Sequence, residues 1–198
     1  MTALFAGICL MAATPPLPTD IAPEAVTDAR AACKNNDFDS FLVHLASAPP
    51  AAQRAFFGRT VKMTVVDRRK QNAKRESVRR ISGHRFTAFP LVMVNHHFVY
   101  AQGGKPAADD GGVPQFVRVT HERQTATLTD YPVSIVNVSW EKIHYGTPIE
   151  GRHEGEIVGS YGDSGRLLFA NGRNNCWELI DSYTTLQSDV VRPTSIKD

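Results

Sequence analysis

Ala25, Val26, Ala29, Ala32 and Cys33 recur at helical spacing, one apolar stripe that predicts an amphipathic helix beginning near Glu24 and turns Cys33 toward the core. Asn35-Asn36-Asp37 ends that helix and caps a second, in which Phe38, Phe41, Leu42 and Leu45 repeat with the same period. Pro49-Pro50 stops the second helix. Pro50 also suits the first turn of a third, over 51–57, closed by Gly58.

Beyond Val61 the helical period gives way to β-branched and aromatic runs separated by turn clusters. The expected strands are 61–67, 91–100, 115–121, 125–129, 133–144 and 156–159. A β-hairpin over Gly165 to Tyr183 follows, with Leu167 to Ala170 and Cys176 to Ile180 as its arms and Asn171 to Asn175 as the reversal. Residues 105–114 read as a loop and Asp189 to Asp198 as a disordered polar tail. Helices first and strands afterwards predict an α+β fold, N-terminal helices packed on a curved, mainly antiparallel β-sheet. The expected division is a signal peptide and linker over 1–19, a single α+β domain over 20–188 and the tail over 189–198.

The 198 residues, 42% hydrophobic, suffice to bury roughly 70% of the unfolded surface in one core. A formal charge of +2 exerts no global pull toward nucleic acid or a membrane surface. Met1 to Ala13 is an uncharged apolar run ending in small residues. It is too short for a membrane span, which takes about 20 apolar residues, and reads as a signal peptide, although no Lys or Arg precedes it. The alternative is a frayed arm or a buried helix. Export would remove Cys9 and leave Cys33 and Cys176, an even count that predicts a disulfide in an oxidising compartment; two separate reduced thiols are the alternative.

Four features could carry chemistry. Gly162-Asp163-Ser164-Gly165 resembles the nucleophile loop of chymotrypsin-like serine proteases, but Arg166 replaces the glycine that follows there, and no histidine sits in the matching context. A turn leading into the hairpin is the expected role. For metal, His96 and His97, adjacent on one expected strand, point to opposite faces, and His144, His153, Glu154 and Glu156 match no structural zinc spacing, so neither metal nor cofactor is expected. Arg68, Arg69 and Lys70 head a basic stretch that continues through Arg75, Arg79 and Arg80. That stretch is read as a solvated hairpin whose charges discourage edge pairing, or else as an anion-binding patch. It has no interleaved aromatics between Asp67 and Gly83, which argues against nucleic acid. Finally, Asn137, Ser139 and Glu141 alternate with Val136, Val138 and Trp140, giving a polar sheet face on which Glu141 with His144 is the best available catalytic pair. Asn137-Val138-Ser139 also matches a glycosylation triplet.

Asp37 to Leu42, Phe89-Pro90-Leu91, Val138 to Tyr145 and Leu167 to Phe169 with Cys176 to Leu179 resemble an uncharacterised family of small exported proteobacterial proteins. The order of elements is also similar to cystatin-like and nuclear-transport-factor-like folds, an analogy of fold alone. The resemblance brings no activity with it. The leading expectation is therefore a periplasmic or secreted binding or accessory domain without catalysis, with an envelope protein or an anionic surface as partner. A small hydrolase or lyase working in a pocket on the sheet is the second reading, and an envelope interaction protein or inhibitor the third.

Overall fold

Asp37 begins the second helix as the sequence predicts. Its carboxylate accepts from the Ser40 backbone N–H at 3.0 Å and from the Ser40 hydroxyl at 2.6 Å, and these bonds hold its carboxyl below the usual carboxylate range. The structure, a computed structural model, describes residues 23–69, 74–108, 112–128, 131–145, 157–172, 175–188 and 192–193. The expected signal segment and most of the expected tail lie outside them. Helices α1 (Pro23–Lys34), α2 (Phe38–Ser47) and α3 (Pro50–Gln53) come first, and α3 runs through a 3₁₀ turn over Arg54–Phe56 into the sheet.

The large sheet is built from β1 (Phe57–Asp67), β2 (Arg75–Ser82), β6 (Val117–Leu128), β7 (Tyr131–Tyr145), β8 (Ile157–Asn171) and β9 (Trp177–Leu186), in the order β2-β1-β9-β8-β7-β6. All neighbours are antiparallel except β1 and β9, which run parallel, so the first strand of the sheet docks beside the last long one. A small sheet of β3 (Leu91–Val94), β4 (His97–Gln102) and β5 (Lys105–Pro106) reaches β6 through a bridge between Val99 and Phe116. The α+β architecture with N-terminal helices is therefore the observed one. Among the described residues no helix is long and apolar enough to cross a membrane.

The core lies between the helices and one face of the large sheet. Phe38 and Phe41 of α2 meet Trp177 with ring centroids 5.1 and 5.2 Å apart, and both also pack on Phe169. Cys33 at the end of α1 is joined to Cys176, the residue just before β9, with Cα atoms 4.9 Å apart and a sequence separation of 143. The expected bridge is thus present, and it fastens the helical layer to the hairpin that the sequence pointed out.

Several expectations are corrected. The strand expected over 91–100 is a tight hairpin, β3 to β4, because Asn95 and His96 both take positive φ, 48° and 67°, in a two-residue turn. His96 and His97 consequently do not sit side by side on one strand. The strands expected over 115–121 and 125–129 merge into β6. Those expected over 156–159 and 167–170 merge into β8. Gly162-Asp163-Ser164-Gly165 is therefore a bulge inside a strand and not a turn between strands. Glu141 pairs with Ser164 and Ile143 with Ser160, so β8 spends four steps where β7 spends two, and Gly162 takes φ +60°. Within the expected tail, Arg192–Pro193 forms a short β10 on β8.

Candidate functional site

Val136, Val138 and Trp140 are buried against the helices and the small sheet, and Asn137, Ser139 and Glu141 occupy the alternate positions of β7. Strand register extends those three positions into rows across the open face. One row runs Arg118, Glu141, Ser164, Thr185, the next Thr120, Ser139, Arg166, Tyr183, Thr64, and the third Glu122, Asn137, Leu168, Asp181, Lys62. Two clefts open on this face. One, of about 280 Å³, lies among Arg118, Ser139, Glu141, Ser164 and Thr185. The other, of about 230 Å³, lies among Lys62, Thr64, Asn137, Leu168 and Asp181. Arg166 and Tyr183 line both.

Opposite charges meet at the two flanks. Arg118 donates to Glu141 Oε1 from Nε at 2.9 Å and from Nη2 as well, and Lys62 Nζ stands 3.5 Å from an Asp181 carboxylate oxygen. Arg166, in the middle row, has no carboxylate within ion-pair distance among the described residues; its guanidinium lies over the Tyr183 ring, 5.3 Å from the centroid.

The bulge borders the first cleft and is tied down. The Asp163 carboxylate accepts the Gln187 backbone N–H at 3.0 Å and the Tyr100 hydroxyl. Burial, followed by the neighbouring Asp163 charge and this bond, pushes the Tyr100 phenol up to about 12. Ser164 Oγ accepts from Gln187 Nε2 at 3.4 Å. No described histidine lines either cleft: His84 meets Ser82, His97 packs edge-on to Phe116, and His121 lies by Asp39 and Phe38. Behind the bulge, Lys142 is 4% exposed, its Nζ 4.8 Å from the Tyr161 ring centroid and 5.8 Å from that of Tyr100. Tyr100 in turn stacks on Trp140 at 5.3 Å.

The residues singled out from the sequence fare unequally. Glu141 does line a cleft, held by Arg118. His144 keeps a place in the backbone ladder opposite Gly159, but its side chain, like His153, Glu154 and Glu156, lies outside the described residues. Among the described residues no three His, Cys, Asp or Glu side chains converge as a metal site would need. Of the three residues expected as an anion patch, Arg68 is exposed, Arg69 grips Asp67, with Nε to Oδ1 at 3.0 Å and Nη2 to Oδ2 at 2.7 Å, and Lys70 lies outside the described residues. Those bonds and the Arg69 backbone N–H hold the Asp67 carboxyl down at about 2.

Sequence reasoning missed Arg118, Arg166 and Tyr183. They stand on three different strands, and only register brings them onto one face. The available signal was parity, since Arg166 is an even number of positions from Leu168 and Ser164, and Tyr183 from Asp181 and Thr185. Comparison with protein-family models and with curated proteins returns no match, so the functional reading rests on this geometry.

Proposed function

We propose that the chain is an exported, non-catalytic binding or accessory domain whose ligand lies across the open face of the large sheet with an anionic group on Arg166. The observation that carries this reading is the charge balance of the face. Arg118 and Lys62 at the flanks already have carboxylates, whereas Arg166 sits between the clefts against an aromatic ring. Stacking restrains the guanidinium plane while leaving N–H edges to donate in parallel to a carboxylate, sulfate or phosphate. Ser139, Thr120, Thr185 and Asn137 supply neutral donors and acceptors along the two clefts.

An elongated polar molecule with one anionic group matches this surface. Binding is favoured over hydrolysis because Glu141 Oε1 takes both Arg118 donors, and Ser164 contacts an amide rather than a base. The bridged Cys33–Cys176 pair supports an oxidising compartment, in keeping with the apolar Met1 to Ala13 segment.

Calorimetric titration with a uronic-acid disaccharide and with its neutral counterpart tests the proposal. The acidic disaccharide is expected to bind at least tenfold more tightly. Equal affinities would remove the anion from the account, and cleavage of the disaccharide would favour the hydrolase reading.

A further inference from the structure

Strand β2 ends the sheet, and among the described residues no strand pairs with its outer edge. Such an edge offers a row of unused backbone N–H and C=O groups, and proteins commonly blunt it by shortening it, bulging it, placing proline in it or covering it. Among the described residues none of these four devices is seen on β2. β2 is eight residues long and contains no proline, and it stays in unbroken register with β1 from Arg75 to Ser82. Its residues 75–80 are all exposed, Val78 at 52%.

What the edge does carry is charge of mainly one sign. Arg75, Arg79 and Arg80 have no ion-pair partner among the described residues, and the single acidic residue, Glu76, is met by Lys74 at 3.7 Å. Charge of one sign repels a second copy of the same strand but attracts a strand of the opposite sign. We infer that the β2 edge docks an acidic extended segment of a partner protein by strand addition.

The alternation of β2 specifies the segment. Arg75 and Arg79 project on the helix side of the sheet and Val78 and Arg80 on the open side. An antiparallel guest therefore needs adjacent acidic residues opposite Arg79 and Arg80, an apolar residue opposite Val78, and a third acidic residue opposite Arg75. Main-chain bonds supply affinity and these alternate side chains supply specificity. This inference does not depend on the Arg166 site.

The probe is a synthetic peptide, Thr-Val-Glu-Glu-Val-Thr-Lys-Glu, measured against the full chain by fluorescence anisotropy at low salt. A version with lysine for every glutamate, two versions N-methylated along one or the other backbone edge, and phosphatidylglycerol vesicles complete the set. The acidic peptide is expected to bind at least tenfold more tightly than the lysine version, and one N-methylated version, not both, to lose binding. The triple variant Arg75→Glu, Arg79→Glu, Arg80→Glu is expected to reverse the preference toward the lysine peptide, a gain that a misfolded variant cannot show. Full binding by both N-methylated peptides, no binding of the acidic peptide, or β2-dependent binding of vesicles alone would overturn strand addition.

Discussion

Arg166 and Tyr183 face each other in register across β8 and β9, with the guanidinium 5.3 Å from the ring centroid at the wall shared by two clefts. The ion pairs stand to either side of this contact, and Ser164 of the bulge lines the first cleft.

The Cys33–Cys176 bridge should be complete in protein isolated from an oxidising compartment, with no thiol detected at either position by mass analysis without reductant. The loop it closes gives a chain-entropy estimate on the order of 5 kcal/mol before native strain is subtracted. The Cys33→Ser, Cys176→Ser double variant is expected to lose about 2 to 5 kcal/mol in urea unfolding.

Gly165 should tolerate no side chain. A Cβ there would stand 2.8 Å from Cε2 and Cζ2 of the Trp140 ring and collide with the Tyr183 carbonyl, which belongs to the sheet backbone and has little room to yield. Gly165→Ala is predicted to cost roughly 3 kcal/mol in urea unfolding, from overpacking against Trp140 and the β9 backbone. A loss below about 1 kcal/mol would mean that β8 and β9 are less closely joined than described.

Tyr100 should titrate near 12, above the ordinary 10.0. Because its folded value lies above the ordinary 10.0, the folded chain keeps a proton that the unfolded chain has lost between those limits. Its contribution to stability is therefore complete below pH 10 and is lost as the pH rises toward 12. Phenolate absorbance should show a late phase that disappears in Tyr100→Phe and moves down in Asp163→Asn.

Ser164 is not expected to be a nucleophile, since its described neighbours include an amide and no imidazole. A fluorophosphonate probe should label neither the wild type nor Ser164→Ala, and labelling of the wild type alone would reinstate the protease-like reading.

Much of the helical layer was legible in the sequence because its signals are local. The Asp37 cap, the Phe38 to Leu45 spacing and the stripe that turns Cys33 inward all depend on neighbours within two helical turns. The strands were legible in place but not always in extent. Asn95-His96 hides a reversal inside an apolar run, and Gly162 to Gly165 carries turn chemistry that a bulge uses equally well, since both need positive φ at one position. Parallel pairing of β1 with β9 joins residues more than a hundred positions apart, and no local pattern encodes it. The site was half legible for the same reason. Parity along β7 identified Asn137, Ser139 and Glu141 as one polar face, but Arg118, Arg166 and Tyr183 joined that face only through register.

The most direct test observes Arg166 itself. In a nitrogen-15 spectrum of the arginine Nε–H groups, titration with the uronic-acid disaccharide is predicted to shift Arg166 and the backbone amides of Ser139, Ser164 and Thr185 saturably, leave the β2 arginines in place, and lose at least tenfold in affinity in Arg166→Gln. Shifts confined to the β2 arginines, or an Arg166→Gln variant that binds as tightly as the wild type, would contradict the assignment of the open face as the ligand site.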